Sequence, residues 1–565
     1  MRKPNAPSLH PLTTFGEENR VNPLRTGEGW RKLKDIGISA GIVAHGYGHS
    51  GPGQSGTTWN KRVVQFATIH LWAGSAALTT CPAAMTDGAA VLLGRHLSDP
   101  EGDQPGRSNV LQGAYRRLIS FDPTEAWTSG QWMTERTGGS DVSQTESRAS
   151  RLDENGLTAD FTAFNSDEDG VGMPLGPWRV DGFKWFSSAT DADMVVLLAR
   201  TSKGISTFYA PMRRKCGSQI VLNGVRMVRL KEKLGTKGLP TAEVEIKGMR
   251  AWLIGEEGRG VKEISAVLNS TRLWTASGAV GYWTRGLAVA RAYSRVRIVK
   301  GALLTENKQH VAWMAQETIE YRASAHLIFL GAALQGVGEQ ISTTTTAGTK
   351  ARSFLPSRKS EADLLLRVLT PVMKAQCSLA AVDGLRACME ALGGVGYCEN
   401  NFDGGVMNVA RLFRDANVNC IWEGTTSVMA EDLVRALKGR EGPAAQQALD
   451  GLIKKMLQSS HGFQDETLII SEAWTTFNND IATANVEELQ YRGREILRKL
   501  ECVLCGCLLM FDATQDSDEV AAAIAKRWIA TTLGQGTRNI GGRWKDEIAM
   551  DRAIFLSTTL QRAHL

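Results

Sequence analysis

One carboxylate in this chain has neighbours that would suit a base. In Asn419-Cys-Ile-Trp-Glu-Gly-Thr-Thr-Ser-Val428, Glu423 stands between a tryptophan and a glycine. The residues that follow, Val428 to Leu437, have the periodicity of an amphipathic helix. An acid placed there either caps or ion-pairs that helix, or it takes a proton from a substrate. The apolar run Cys420-Ile421-Trp422 would raise a carboxylate's pKa toward neutrality by desolvation, which suits a proton acceptor.

A second loaded stretch is Met133-Thr-Glu-Arg-Thr-Gly-Gly-Ser-Asp141. Paired glycines before Ser-Asp allow close backbone approach and present N–H and hydroxyl donors, suited to a pyrophosphate or an electron-rich ring edge. Two other clusters carry less. Cys502-Val-Leu-Cys505-Gly-Cys507 has no nearby Cys or His pair to complete a four-ligand zinc site. Its surroundings, Ile496 to Met510, read as one apolar helix in which cysteine is a small buried hydrophobe. Gly46 to Gly56 is a flexible loop without the Gly-Lys-Ser/Thr ending of a phosphate-binding loop.

The elements that must position these residues change along the chain. Residues 1–30 are polar and punctuated by proline and glycine, which predicts an extended arm, and Trp59 to about Leu97 has a helical pattern. From Gln131 to about Ile254 the signals are β-like. Trp178–Phe186 reads as strand, Asp-Gly turn, strand; Met194–Ala199 as a buried strand; Ala242–Ile246 as an alternating one; Ala163–Leu175 as a long hairpin loop. A small barrel or sandwich fits this region. Helices are predicted at 261–297, 308–340, 361–392 and 425–439, consistent with a bundle, with Ser342–Gly348 as a low-complexity connector. The fold class is α+β and mostly α, with domains predicted at 1–127, 128–255, 256–440 and 441–565.

Bulk properties narrow the function classes. The 565 residues exceed one ordinary core, and 42% apolar with 22% charged residues is a globular composition. A net charge of +6 makes no strong field for nucleic acid but tolerates an anionic cofactor. Residues 441–565 hold 13 Lys/Arg against 17 Asp/Glu, which argues against DNA binding there. Nine cysteines form no disulfide framework, the N-terminus lacks the apolar core of a secretory signal, and no run approaches the ~20 apolar residues that span a bilayer. The terminal Ala563-His564-Leu565 follows the pattern of a peroxisomal address, so the expected location is the peroxisome, otherwise the cytoplasm.

The TERTGGSD loop is followed in order by Lys184-Trp-Phe-Ser-Ser188, Leu392-Gly-Gly-Val-Gly-Tyr397, Leu412-Phe-Arg-Asp-Ala416 and Ile421-Trp-Glu-Gly-Thr425. With Asn269-Ser-Thr-Arg272 and Gly278-Ala-Val-Gly281, this series resembles the acyl-CoA dehydrogenase family over roughly residues 60–440. The tail block and the motif wording resemble the branch that contains AidB, a bacterial alkylation-response flavoprotein. The resemblance implies an N-terminal helical domain, a central β-domain, a four-helix bundle and a helical C-terminal extension. It also implies FAD, an acyl-CoA substrate, a homo-oligomer (tetramer or dimer), and O₂ or an electron carrier as acceptor.

Carried over residue by residue, the resemblance implies that Met133 and Thr134 line the flavin's pyrimidine edge. Gly139 and Ser140 approach the pyrophosphate, Ser140 also touching a thioester, while Phe186 lies on the flavin face and Ser188 near N5. Thr425 and Ser427 contact FAD or cap the following helix. Glu390 and Gly394 reach a neighbouring subunit's adenine end, as does Arg295, with Arg297 a competing candidate. Asn269 and Arg272 bind substrate, and Glu423 is the base, since Thr271, at the alternative base position, cannot serve. The implied reaction is α,β-desaturation of an acyl-CoA. Alternatives are an AidB-like protein that binds DNA or alkylating agents with weak dehydrogenase activity, and a flavin hydroxylase or nitroalkane-type oxidase, which an intact Glu423 disfavours.

Overall fold

A computed structural model describes residues 6–48, 60–340, 349–402, 404–534 and 544–557. The chain divides into two compact units, Met1–Ser55 with Ala76–Thr271, and Gly56–Ser75 with Arg272–Leu565. The connector Ser342–Gly348, the terminal Ala563-His564-Leu565 and most of the Gly46–Gly56 loop lie outside the described residues.

The first unit is built on one mixed sheet of seven strands. Five of them close a ring: Thr241–Ile254 pairs with Trp178–Ser188, which pairs with Arg148–Arg151, then Met194–Thr201, then Gly204–Pro211, which returns to Thr241–Ile254. Of the barrel or sandwich that the β-like texture left open, this is the barrel. Burial on both faces explains why Met194–Ala199 is apolar throughout. Val195, Leu197 and Ala199 pack with Trp132, Phe208 and Val244 on one side. Met194, Val196 and Leu198 face the other way, against Leu92, Leu93, Leu111 and Leu118 of helices Thr80–His96 and Arg107–Leu118.

Four local expectations need correction. Trp178–Ser188 is one continuous strand, not a hairpin. Gly182 is there for close approach, since a Cβ on it would fall 2.2 Å from Ser147 Oγ. Ala163–Leu175 is not a loop between strands: it begins in a helix, Glu154–Phe164, whose N-cap Asp153 accepts from the Gly156 N–H. Only its tip is hairpin-like, at the Glu168–Pro174 bridge. The helical stretch 59–97 splits into Lys61–Ala73 and Thr80–His96, in different units, with Ala77 and Leu78 at positive φ between them. The N-terminal arm is partly ordered, Ser8–Leu9 pairing with Leu24–Arg25 before helix Glu28–Ser39.

The second unit is helical. Its long elements are the continuation of Gly260–Ser294, then Lys308–Glu339 and Lys359–Ala391, with the shorter Thr426–Lys438. Helix Gly493–Asp516 of the C-terminal block packs on three of these, Lys308–Glu339, Lys359–Ala391 and Thr426–Lys438. Cys502, Cys505 and Cys507 are buried within it as unpaired thiols. Lys359–Ala391 holds a window apolar enough by composition to cross a bilayer, although charged and polar residues interrupt its apolar runs. Because 72% of that window is buried inside the chain, the helix is accounted for as core.

Candidate active site

Glu423 sits on a backbone feature that the sequence did not announce. Its φ is 57° and that of Gly424 is 105°, so two consecutive residues turn through the left-handed region. A non-glycine residue there costs about 1–2 kcal/mol and persists only when its surroundings hold it. The turn is squeezed between the 3-10 turn Asn417–Cys420 and the helix Thr426–Lys438, whose N-cap is Thr425. Glu423 therefore stands two residues ahead of a helix N-terminus, where the partial positive charge of the first turn favours a carboxylate.

Two cations hold the turn through its carbonyls. Arg272 Nε donates to the Glu423 carbonyl at 3.4 Å. Lys374 Nζ donates to the Gly424 carbonyl. Arg272 is itself fixed by Asp432, whose carboxylate lies 2.7 Å from Arg272 Nη1 and 2.9 Å from Arg367 Nη2. Burial raises the Asp432 carboxyl, but the charges and hydrogen bonds of Arg272 and Arg367 outweigh it, and the group is held below its ordinary range. Burial pushes the Lys374 ammonium down to about 8, against the opposing pull of Glu423 and Cys420.

The surroundings of Glu423 are thus not the apolar pocket expected from Cys420-Ile421-Trp422. Ile421 is 63% exposed, and the Trp422 indole is tied to Asn419 Oδ1 at 3.0 Å. Lys374 and Asp432 were not found from the sequence. A signal for Lys374 existed: it is the only charged residue between Arg367 and Asp383 in an otherwise apolar helix. Thr425 caps its helix by accepting from the Val428 N–H, and the Ser427 hydroxyl is 3.3 Å from Arg494 Nε.

In the first unit, the loop after Trp132 is pinned from beneath. Lys184 Nζ is 2.5 Å from Glu135 Oε1, and both side chains are buried. Glu135 also accepts from the Glu146 and Ser147 N–H groups. Burial raises its carboxyl, but Lys184 and these donors win and hold it below the ordinary range. Trp185 N–H donates to the Thr134 carbonyl at 2.9 Å, which ties the loop to the strand that carries Phe186 and Ser188.

Above that anchor, Gly139 and Ser140 are exposed, and among the described residues their peptide N–H groups make no hydrogen bond. Phe186 is 47% exposed, and the Ser188 hydroxyl lies 3.1 Å from Thr241 Oγ1. The Arg136 guanidinium sits 4.2 Å over the Phe183 ring, and Lys231 Nζ 4.7 Å over Phe186. Unpaired N–H donors, a half-open aromatic ring and the Arg136 guanidinium fit a flat, polar-edged, anionic molecule, while Lys231 is already paired with Glu243 at 2.6 Å. Met133 is buried at the loop's start.

The remaining candidates fall elsewhere. Asn269 is half-buried on helix Gly260–Ser294, and the Thr271 hydroxyl is turned back onto its own helix carbonyls. Arg295 Nη2 donates to the Leu556 carbonyl of the same chain at 2.7 Å, and Glu390 pairs with Arg386 at 2.7 Å. Gly394 is exposed in the 3-10 turn Gly393–Tyr397, and Arg297 is exposed as well.

Residues 130–249 match the family model for the acyl-CoA dehydrogenase middle domain, and residues 258–438 match that for the acyl-CoA dehydrogenase C-terminal domain. A crystal structure of Caenorhabditis elegans ACDH-11 in complex with C11-CoA superposes with a TM-score of 0.79 at 31% identity, covering 97% of this chain and 86% of that one. Acyl-CoA dehydrogenase family member 11 of the same organism is 38% identical over 77% of this chain, and Escherichia coli AidB is 28% identical over 67%. The matched regions span 63% and 61% of those two relatives' own lengths. The chain belongs to the acyl-CoA dehydrogenase family.

Proposed function

We propose that this chain is an FAD-dependent enzyme that α,β-desaturates an acyl-CoA thioester, with Glu423 as the base that removes the α-proton. The observation that carries the reading is the Glu423–Gly424 turn, a strained backbone whose two carbonyls are held by Arg272 and Lys374. Such a turn fixes one carboxylate's direction, and general-base catalysis depends on that aim before it depends on basicity. A bare cap or ion-pair role would not need it, because Thr425 already caps the helix.

FAD, when bound, supplies the acceptor for the β-hydride. In the first unit the candidates to hold it are Met133, Thr134, Gly139 and Ser140 on the pinned loop and Phe186 and Ser188 on the adjoining strand; in the second unit, taken by itself, the resemblance makes Thr425 and Ser427 candidates. Glu135 and Lys184 keep the loop in place without reaching the surface. Asn269 and Ser140 are the candidates for substrate contact. Arg272 serves the site chiefly as an anchor, since it is committed to Asp432 and the Glu423 carbonyl. A relative solved with C11-CoA supports a CoA thioester as the ligand class. Arg295, Glu390 and Gly394 are candidates for contact with a neighbouring copy in a homo-oligomer.

The test is an anaerobic titration of the purified yellow protein with a panel of straight and branched acyl-CoAs, followed by air. Loss of flavin absorbance with at least one thioester supports the proposal. Peroxide formed at a rate matching turnover in air assigns an oxidase, and its absence assigns a separate electron carrier. Failure of every thioester to bleach the flavin contradicts desaturation. Retention of DNA by such an unreactive protein would favour the alkylation-response reading suggested by the AidB relative.

A further inference from the structure

We propose that Lys374 is a positioning residue for the base: from inside the helical core it holds the Gly424 carbonyl and thereby fixes the left-handed turn that aims Glu423. This rests on the reading of Glu423 as the proton acceptor.

Lys374 is 0% exposed and lies midway along helix Lys359–Ala391, where Val368, Leu369, Val372 and Met373 are buried around it. An ammonium in such a place costs several kcal/mol unless it is paired, and a methionine would fill the same space without that cost. The hydrogen bond that the ammonium makes is to the Gly424 carbonyl. Arg367 lies seven residues earlier, so the two cations share a face of the helix. Arg367 takes the Asp432 carboxylate at 2.9 Å, while Lys374 takes the carbonyl next to the base. One helix face thus grips the base-bearing segment at both ends.

The glycine explains why a side chain must do this. Gly424 has φ 105°, a conformation that L side chains rarely adopt, and a Cβ on it would fall 2.5 Å from Met429 Cε, so any other residue strains the turn or displaces the methionine. The Gly424 carbonyl then points into the core, where an unpaired acceptor would be costly. Arg272 holds the preceding carbonyl from helix Gly260–Ser294. With both carbonyls taken, rotation of the Glu423–Gly424 peptide requires breaking a charge-assisted bond.

The groups whose charge reaches Lys374 are Glu423 and Cys420 from the base-bearing segment and Arg272 from the neighbouring helix, with Arg367 on its own helix tied to Asp432. The ammonium's lowered proton affinity agrees with a group spent on position rather than on exposed charge.

The experiment is rapid anaerobic mixing of FAD-loaded wild type, Lys374→Met, Lys374→Arg and Glu423→Gln with a saturating reactive acyl-CoA, with the half-saturating concentration measured for each. Lys374→Met is expected to keep its FAD and its half-saturation within about twofold. Its limiting bleaching rate is expected to fall tenfold or more, as displaced catalytic groups cost up to about 100-fold. Lys374→Arg, which keeps a charged donor, is expected to recover most of the rate. A Lys374→Met limiting rate within twofold of wild type, while Glu423→Gln does not bleach, overturns the role of Lys374 and leaves the base intact. A Glu423→Gln rate equal to wild type overturns the base itself. If Lys374→Met does not fold, Lys374→Arg decides: wild type is expected to show a change in limiting rate near pH 8 that the arginine variant lacks, and its persistence in that variant overturns the proposal.

Discussion

Arg272 and Asp432 form a half-hidden ion pair, Nη1 to Oδ2 at 2.7 Å, with the two side chains 11% and 9% exposed. The same guanidinium reaches the carbonyl of Glu423. The position of Glu423 is therefore coupled to a carboxylate nine residues further on. Asp432 also serves Arg367 and, at 3.2 Å, Arg435.

Asp432→Asn is expected to destabilise the protein by about 3–5 kcal/mol, the usual cost of leaving a buried charge without its partner. The wild-type carboxyl is held below its ordinary value of 3.8. Its contribution is therefore complete above that value and lost as pH falls through the lower, folded one. Denaturant unfolding between pH 2.5 and 6 should show this acid-side loss in wild type and a smaller one in the variant. An unchanged unfolding midpoint at pH 7 would contradict the anchoring role.

Lys184→Met tests the pinned loop. It leaves the Glu135 carboxylate buried with only the Glu146 and Ser147 N–H donors, so a loss of about 3 kcal/mol is expected, with weaker retention of FAD. The double variant Glu135→Gln/Lys184→Met should recover part of both, because it removes the orphaned charge. Flavin content after gel filtration and thermal unfolding measure the two effects. Additive losses in the double variant would mean that the pair is not the anchor.

Glu317 supplies a pH dependence of opposite sign. Burial, with the like charge of Glu320 adding to it, raises its carboxyl from 4.5 to about 7. A raised acid binds its proton more tightly in the folded state, so stability falls as pH rises from about 4.5 to 7. Above that window the group costs on the order of 3–4 kcal/mol. Glu317→Gln is expected to raise the melting temperature at pH 8 and to flatten the decline between pH 5 and 8. A variant that melts lower at pH 8 than wild type would contradict this.

Gly424→Ala is expected to damage the site more than the fold. The added Cβ meets both a positive φ and Met429 Cε at 2.5 Å, and either the turn or the methionine must move. The limiting bleaching rate should fall by tenfold or more, while unfolding shifts by only about 1–3 kcal/mol. Equal rates in the two proteins would show that the turn's geometry does not aim the base.

The parts legible in the sequence were those with a period. The long helices from Val261 to Ala391 repeat their apolar residues over many turns, and their observed bounds, Gly260–Ser294, Lys308–Glu339 and Lys359–Ala391, fall within three residues of the expected ones. The barrel was legible for the same reason, since Met194–Ala199 is apolar on both faces. Local turn signals misled where tertiary contacts overrode them. Asp181-Gly182 has the composition of a hairpin turn, yet the glycine is used to pass close to Ser147. The break at Ala77–Leu78 is marked only on its flanks, by Gly74 as the C-cap of Lys61–Ala73 and Pro82 in the first turn of Thr80–His96, while Ala77 and Leu78 are themselves ordinary helix formers. Glu423, Arg272 and the TERTGGSD loop were legible as motifs. Lys374 and Asp432 were not, because their importance depends on which carbonyl and which guanidiniums the fold brings to them.

Whether Glu423 takes the substrate's α-proton is read most directly from the anaerobic bleaching of FAD-loaded Glu423→Gln by an acyl-CoA that reduces the wild type. The variant is expected to stay yellow, keep its FAD, bind the thioester, and lose at least about 1,000-fold in reduction rate, the middle of the range that a positioned base supplies. Reduction at the wild-type rate would contradict the role of Glu423 as the base.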